Sequence, residues 1–107
     1  MSTTYHVSGD MDAGVMVALR VDLELLAQGD GDVVIDMKNV SFIDSSGIGG
    51  LVFLYKRLVK QGRQLSLINI DSQPLQMFNY LKLTELLTHT VDMPAKVTAK
   101  VAAKGTA

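Results

Sequence analysis

Val33 to Leu51 reads VVIDMKNVSFIDSSGIGGL, and inside this stretch the hydrophobic period changes. Val33 to Met37 is a short, nearly continuous apolar run, as a strand covered on both faces requires, whereas Ile48, Leu51, Val52, Tyr55, Leu58 and Val59 recur at helical spacing. The switch falls around Asp44 to Ser46, so two adjacent serines stand where a buried strand gives way to a helix. A helix start carries unpaired backbone N–H groups and a partial positive charge. A serine there can cap the helix or present its hydroxyl for phosphorylation, and the residue types alone serve either role.

Working outward, Lys38 to Ile43 is a connector whose Val40, Phe42 and Ile43 are expected to return to the core. The helix from about Ser45 runs to Lys60 and is stopped by Gly62, suited to the left-handed position beyond a helix end. Phe53 and Leu54 cannot both join its buried stripe, so one of them is expected as an exposed apolar anchor beside Lys56, Arg57 and Lys60. Upstream, Tyr5 to Ser8 reads as a short strand, Gly9 to Asp12 as a turn, and Ala13 to Ala27 as a helix with Asp12 at its N-cap. Met16, Leu19, Leu23 and Leu26 make its stripe, while Val15, Val17 and Val21 put branched residues on other faces. Downstream, Leu65 to Asn69 reads as a strand. Asp71 or Ser72 caps a third helix with Leu75, Phe78 and Leu81 facing inward, and Leu86 to Val91 is a last strand. Strands alternating with helices at short connections predict an α/β layered domain: a mostly parallel sheet of about four strands, right-handed crossovers, and helices packed against it.

The 107 residues suit one domain, with a core from about residue 5 to 91 and a short helix and frayed tail over 93–107. A net charge of -1 offers no steering toward nucleic acid or anionic membrane, so a protein partner or small ligand is expected. Without cysteine there is no disulfide framework or thiolate metal site, and His6 and His89 lack metal-ligand spacing. No bound metal or cofactor is expected. No apolar run approaches the roughly 20 residues that span a bilayer, and MSTTYHVSGD has neither a basic nor an apolar segment, which favours a soluble cytoplasmic protein. A serine hydrolase would need Ser46 as nucleophile, His6 or His89 as base and Asp44 or Asp12 as orienter, but the Gly-x-Ser-x-Gly elbow is missing. The nucleotide-binding glycine motifs are missing too.

From Tyr5 to Val91 the chain resembles a STAS domain of the bacterial anti-sigma factor antagonist branch. VVIDMKNVSFIDSSGIGGL is similar to that family's hydrophobic strand followed by Phe-Ile/Met-Asp-Ser-Ser-Gly-Leu/Ile-Gly, SGDMD to its Thr-Gly-Glu-Leu-Asp turn, and QPLQMFNYLKLTELL to its later helix. The resemblance implies that Ser46 is the phosphoacceptor of a serine kinase that doubles as the anti-sigma factor. It further implies that the unphosphorylated domain binds this kinase to free a sigma factor, and that a phosphatase resets the switch. The family also serves stressosome-like scaffolds and lipid transporters, which differ in partner. On this reading Ser45 is the cap, and Asp12, Asp44, Ser45, Gly47, Ile48, Gly49, Gly50 and Phe53 line the partner contact, the glycines letting a partner backbone come close. A phosphoryl group on Ser46 is expected to be attracted by the Gly47 and Ile48 amides and repelled by Asp44 and Asp12. Two features depart from the family pattern. The N-terminus has room for one strand before the first helix where two are frequent, and Lys82 stands where glycine is usual.

Overall fold

The computed structural model describes residues 2–83. In chain order they form β1 (Ser2–His6), α1 (Ala13–Gln28), β2 (Asp32–Asp36), α2 (Ser45–Lys60), β3 (Leu65–Ile68) and α3 (Ser72–Tyr80). Both strand pairs are parallel, in the order β1-β2-β3, with Tyr5 level with Ile35 and Ile35 level with Leu67. The α/β class and the parallel sheet are as expected. Three strands lie among the described residues, and the expected strand over 86–91 and the helix over 93–107 fall outside them.

β2 is the central strand, and Val33 and Ile35 join Leu65 and Leu67 of β3 in one buried cluster with Met16, Leu19 and Leu23 of α1 and Leu51, Leu54 and Leu58 of α2. Each fully buried aliphatic side chain contributes about 1.5–3 kcal/mol, so this cluster is the main source of stability. At Gly50 the two long helices touch, since a Cβ there would lie 2.5 Å from Met16 Cε. At the other end, Arg63 closes α1 by donating to the Ala27 and Leu26 carbonyls at 2.9 and 3.0 Å, groups that a helix end leaves unpaired.

Several local expectations need correction. β1 covers Ser2–His6 instead of Tyr5 to Ser8, pairing polar residues along the sheet edge. Phe42 is 43% exposed, because Asp10 Oδ1 accepts the Ser41 and Phe42 amides and holds the connector at the surface. Leu81 follows the end of α3 and is exposed, Ala27 replaces Leu26 in the fully buried stripe of α1, and Leu54 replaces Val59 in that of α2. Gly62 takes φ 72° as its place after α2 demands, and Lys82 takes φ 60°, the left-handed region that glycine enters without steric cost.

Candidate functional site

The parallel sheet points its C-terminal edge at the starts of α1 and α2, and the connectors leading into them are joined there. Met11 and Ile43 form a parallel bridge, with Met11 N–H donating to the Phe42 carbonyl at 2.9 Å and Asp44 N–H to the Met11 carbonyl at 3.2 Å. The side chain of Gln73, in the first turn of α3, completes the clamp. Its Oε1 accepts the Ile43 N–H at 2.8 Å and its Nε2 donates to the Ile43 carbonyl at 3.0 Å, so a side chain acts as a neighbouring strand would. Both groups belong to a residue with no exposed surface, where unpaired backbone groups are costly.

Asp44 is the hub of the site. Its Oδ1 accepts from the amides of Ser46 and Gly47 at 2.8 and 3.2 Å, and its Oδ2 accepts from the amide of Ala13, the first residue of α1, at 3.1 Å. Asp12 caps α1 itself through Val15 N–H at 3.0 Å, as its position suggested. The N-cap of α2 is therefore Asp44, and Ser45, expected in that role, is the first residue of the helix and exposed. Three potential caps stand in a row in Asp-Ser-Ser, and the tie to Ala13 selects the carboxylate, because only that group has two oxygens to serve two helices.

Ser46 follows, half-buried, with its hydroxyl making no hydrogen bond among the described residues. The amides expected to attract an anion beside it are already engaged: Gly47 by Asp44 Oδ1 and Ile48 by the Asp44 carbonyl at 3.0 Å. Gly47, Ile48 and Gly50, expected at the partner contact, are buried. A Cβ on Gly47 would lie 2.6 Å from the Met11 carbonyl oxygen, so this glycine lets the chain's own Met11 connector approach α2. Gly49 has nothing within 4 Å of an added Cβ and faces outward. Phe53 is the exposed member of its pair, at 41%, with the Arg57 guanidinium 5.3 Å from its ring centroid. Ser45, Gly49, Phe53, Lys56 and Lys60 share one exposed side of α2 by helical spacing.

Asp36 forms a second cluster at the same sheet edge, which sequence reasoning did not single out. Asn69 Nδ2 and Lys38 N–H donate to its Oδ1, both at 3.0 Å, and His6 Nδ1 lies 3.0 Å from its Oδ2. The Asn69 hydrogen bond, helped by Lys38 and His6 against the cost of burial, holds the Asp36 carboxyl below the usual carboxylate range. His6 is thus engaged with Asp36, while both Asp44 oxygens serve backbone amides, so no serine–histidine–aspartate relay is assembled among the described residues. His89 lies outside them. No helix among the described residues is long and apolar enough to cross a membrane.

A family model for the STAS domain matches residues 2–100. This chain belongs to the STAS family. An anti-sigma-B factor antagonist of Bacillus subtilis (strain 168) is 32% identical over 91 residues, covering 85% of this chain and 80% of the relative. The anti-sigma-B factor antagonist of Listeria monocytogenes is 28% identical over 82 residues, covering 76% and 72%. Among solved structures, a sulfate transporter family protein from Wolinella succinogenes superposes with a TM-score of 0.72 at 22% identity, covering 96% of this chain and 88% of the other. The unphosphorylated anti-sigma factor antagonist SpoIIAA follows at a TM-score of 0.69 and 18% identity, covering 99% and 90%. Both superpositions show the STAS fold and no more than the fold. Asp10, Gln73 and Asp36, which build this STAS site, escaped the sequence because each acts on chain about 30 residues away.

Proposed function

We propose that this chain is an anti-sigma factor antagonist under phosphorylation control, with Ser46 as phosphoacceptor. In its unphosphorylated form it binds a cytoplasmic anti-sigma factor serine kinase through the start and outer side of α2 and so releases a sigma factor; a serine phosphatase restores that form. The carrying observation is a serine hydroxyl at the start of α2 that makes no hydrogen bond among the described residues, in a chain 32% identical to an anti-sigma-B factor antagonist. Asp12, Asp44, Ser45, Gly49 and Phe53 edge or continue that surface, whereas Gly47, Ile48 and Gly50 support it from below.

The chemistry of the switch follows from Asp44. A phosphoryl group brings about 1.5 to 2 negative charges to a place where one carboxylate has already taken the helix-start amides. Each pair of unit charges about 5 Å apart, at an effective dielectric of about 20, costs roughly 3 kcal/mol. In the free domain water relieves much of this. In a complex the dianion is pressed between Asp44 and a surface shaped for a neutral hydroxyl, and a loss of about 3 kcal/mol weakens affinity more than a hundredfold.

Incubation with the cognate kinase and ATP, followed by phosphopeptide mass spectrometry, tests the reading. Label is expected on Ser46 and absent from Ser46→Ala; label elsewhere, or its persistence in the variant, rules the assignment out. Ser46→Asp is expected to bind the kinase more than a hundredfold less tightly, with folding stability within about 1 kcal/mol of the parent.

A further inference from the structure

The outer face of α1 is apolar along its length and does not belong to the site just described. Val17, Val21 and Leu25 follow at intervals of four residues and are 74%, 60% and 62% exposed. That spacing lines them up as one stripe, turned away from the buried Met16, Leu19, Leu23 and Ala27. Gly14 and Ala18, both exposed, flank the stripe, and such small residues let a second helix come close. Contiguous exposed apolar surface of this kind marks an interaction site.

The charges beside the stripe select the occupant. Arg20 and Glu24 lie on the same flank one turn apart, in the order less favourable for pairing along a helix. Glu24 is 3.3 Å from Arg57, and Arg20 forms no ion pair among the described residues. If two α1 helices pack antiparallel about a two-fold axis at Val21, Val17 meets Leu25 of the second copy. The same operation puts Arg20 within reach of the second copy's Glu24, twice over, because an isologous contact repeats every pairing. A parallel pairing about an axis along the helices sets opposite flanks together and leaves Arg20 unmatched.

We propose that this face forms an isologous dimer of the chain, α1 against α1, antiparallel and centred on Val21. One helix pair falls below the roughly 800 Å² per partner of a stable interface, so the dimer is weak and assembles at about 0.1–1 mM.

Sedimentation equilibrium on the full chain from about 10 µM to 1 mM tests this. The average mass is expected to climb toward twice the monomer, while Val21→Glu and Val17→Ser stay monomeric with unchanged melting temperatures. Arg20→Glu is expected to weaken association and the double variant Arg20→Glu, Glu24→Arg to restore it; the ion pair between Glu24 and Arg57, which the double variant gives up, is exposed and adds little stability. A parent that is monomeric throughout overturns the proposal, as does a Val21→Glu chain that associates as strongly. Cover by the chain's own residues 84–107 gives a monomer destabilised by Val21→Glu, and also overturns it.

Discussion

Ala13 donates its backbone N–H to Asp44 Oδ2 over 3.1 Å, while Oδ1 of the same carboxylate caps α2. One side chain therefore closes the starts of two helices, reaching an amide 31 residues away in sequence. Asp44→Ala removes the cap of α2 and the acceptor of the exposed Ala13 amide, which water can then serve, and is expected to cost about 1–2 kcal/mol by chemical denaturation. Asp44→Asn keeps one acceptor oxygen and should cost about half as much. A loss below about 0.5 kcal/mol for the alanine variant would show that the bridge does not persist in solution.

Gly47 and Gly49, two residues apart, are expected to respond oppositely to alanine. At Gly47 a Cβ would lie 2.6 Å from both the Met11 carbonyl oxygen and Ile43 Cγ1, and the backbone cannot move without breaking the Met11–Ile43 bridge. Gly47→Ala should destabilise by at least about 2 kcal/mol. At Gly49 the added methyl meets nothing within 4 Å, and Gly49→Ala should stabilise the domain by up to about 1 kcal/mol through helix propensity. Thermal melts of both variants decide the matter.

Gln73→Leu keeps the side-chain bulk and removes both hydrogen bonds to Ile43. Leaving a buried N–H and a buried carbonyl unpaired should cost about 2–4 kcal/mol. Gln73→Glu preserves the acceptor for the N–H but sets an oxygen against the carbonyl, so it should recover only part of the loss. Equal stability of Gln73→Leu and the parent would remove Gln73 from the account of the site.

Asp36 gives stability an acid limb. Its carboxyl titrates below the usual range when folded, chiefly through Asn69, so folding favours the ionised form. That contribution is present above the unfolded value near pH 4 and is lost as pH falls through the folded value. Melting curves between about pH 6 and pH 2 should show the gap between the parent and Asp36→Asn closing below about pH 4. Parallel curves would show that the carboxyl is not so stabilised.

The elements were legible where their signals are local. The α2 bounds, Ser45–Lys60, and the turn at Gly62 coincide with the expected ones, because helical periodicity and a terminating glycine lie within the segment itself. The start of β1 was not legible: Ser2, Thr3 and Thr4 on an exposed edge show no apolar alternation, and their pairing with Asp32, Val33 and Val34 supplies what the sequence does not display. The site divides the same way. Asp12 as the cap of α1 and the exposed position of one of Phe53 and Leu54 follow from helix geometry, whereas Ser46 was singled out by the resemblance to the STAS pattern. The choice of Asp44 over Ser45 as cap, the outward turn of Phe42 and the inward use of Gly47 each depend on a contact with chain some 30 residues distant. Gln73 stood in the segment that resembles the family's later helix, but nothing local marked its contact with Ile43, since a glutamine in a first helical turn is ordinary.

The crowding around Gly47 changes how a saturation-mutagenesis screen of this domain should be interpreted. Almost every replacement there will read as loss of function under selection for the proposed kinase binding and under selection for soluble expression alike, because a folded domain requires the Met11 connector to fit beneath the helix. Intolerance at Gly47 is a statement about foldability. A replacement at Gly49 that abolishes binding while expression rises would locate the surface where another protein sits.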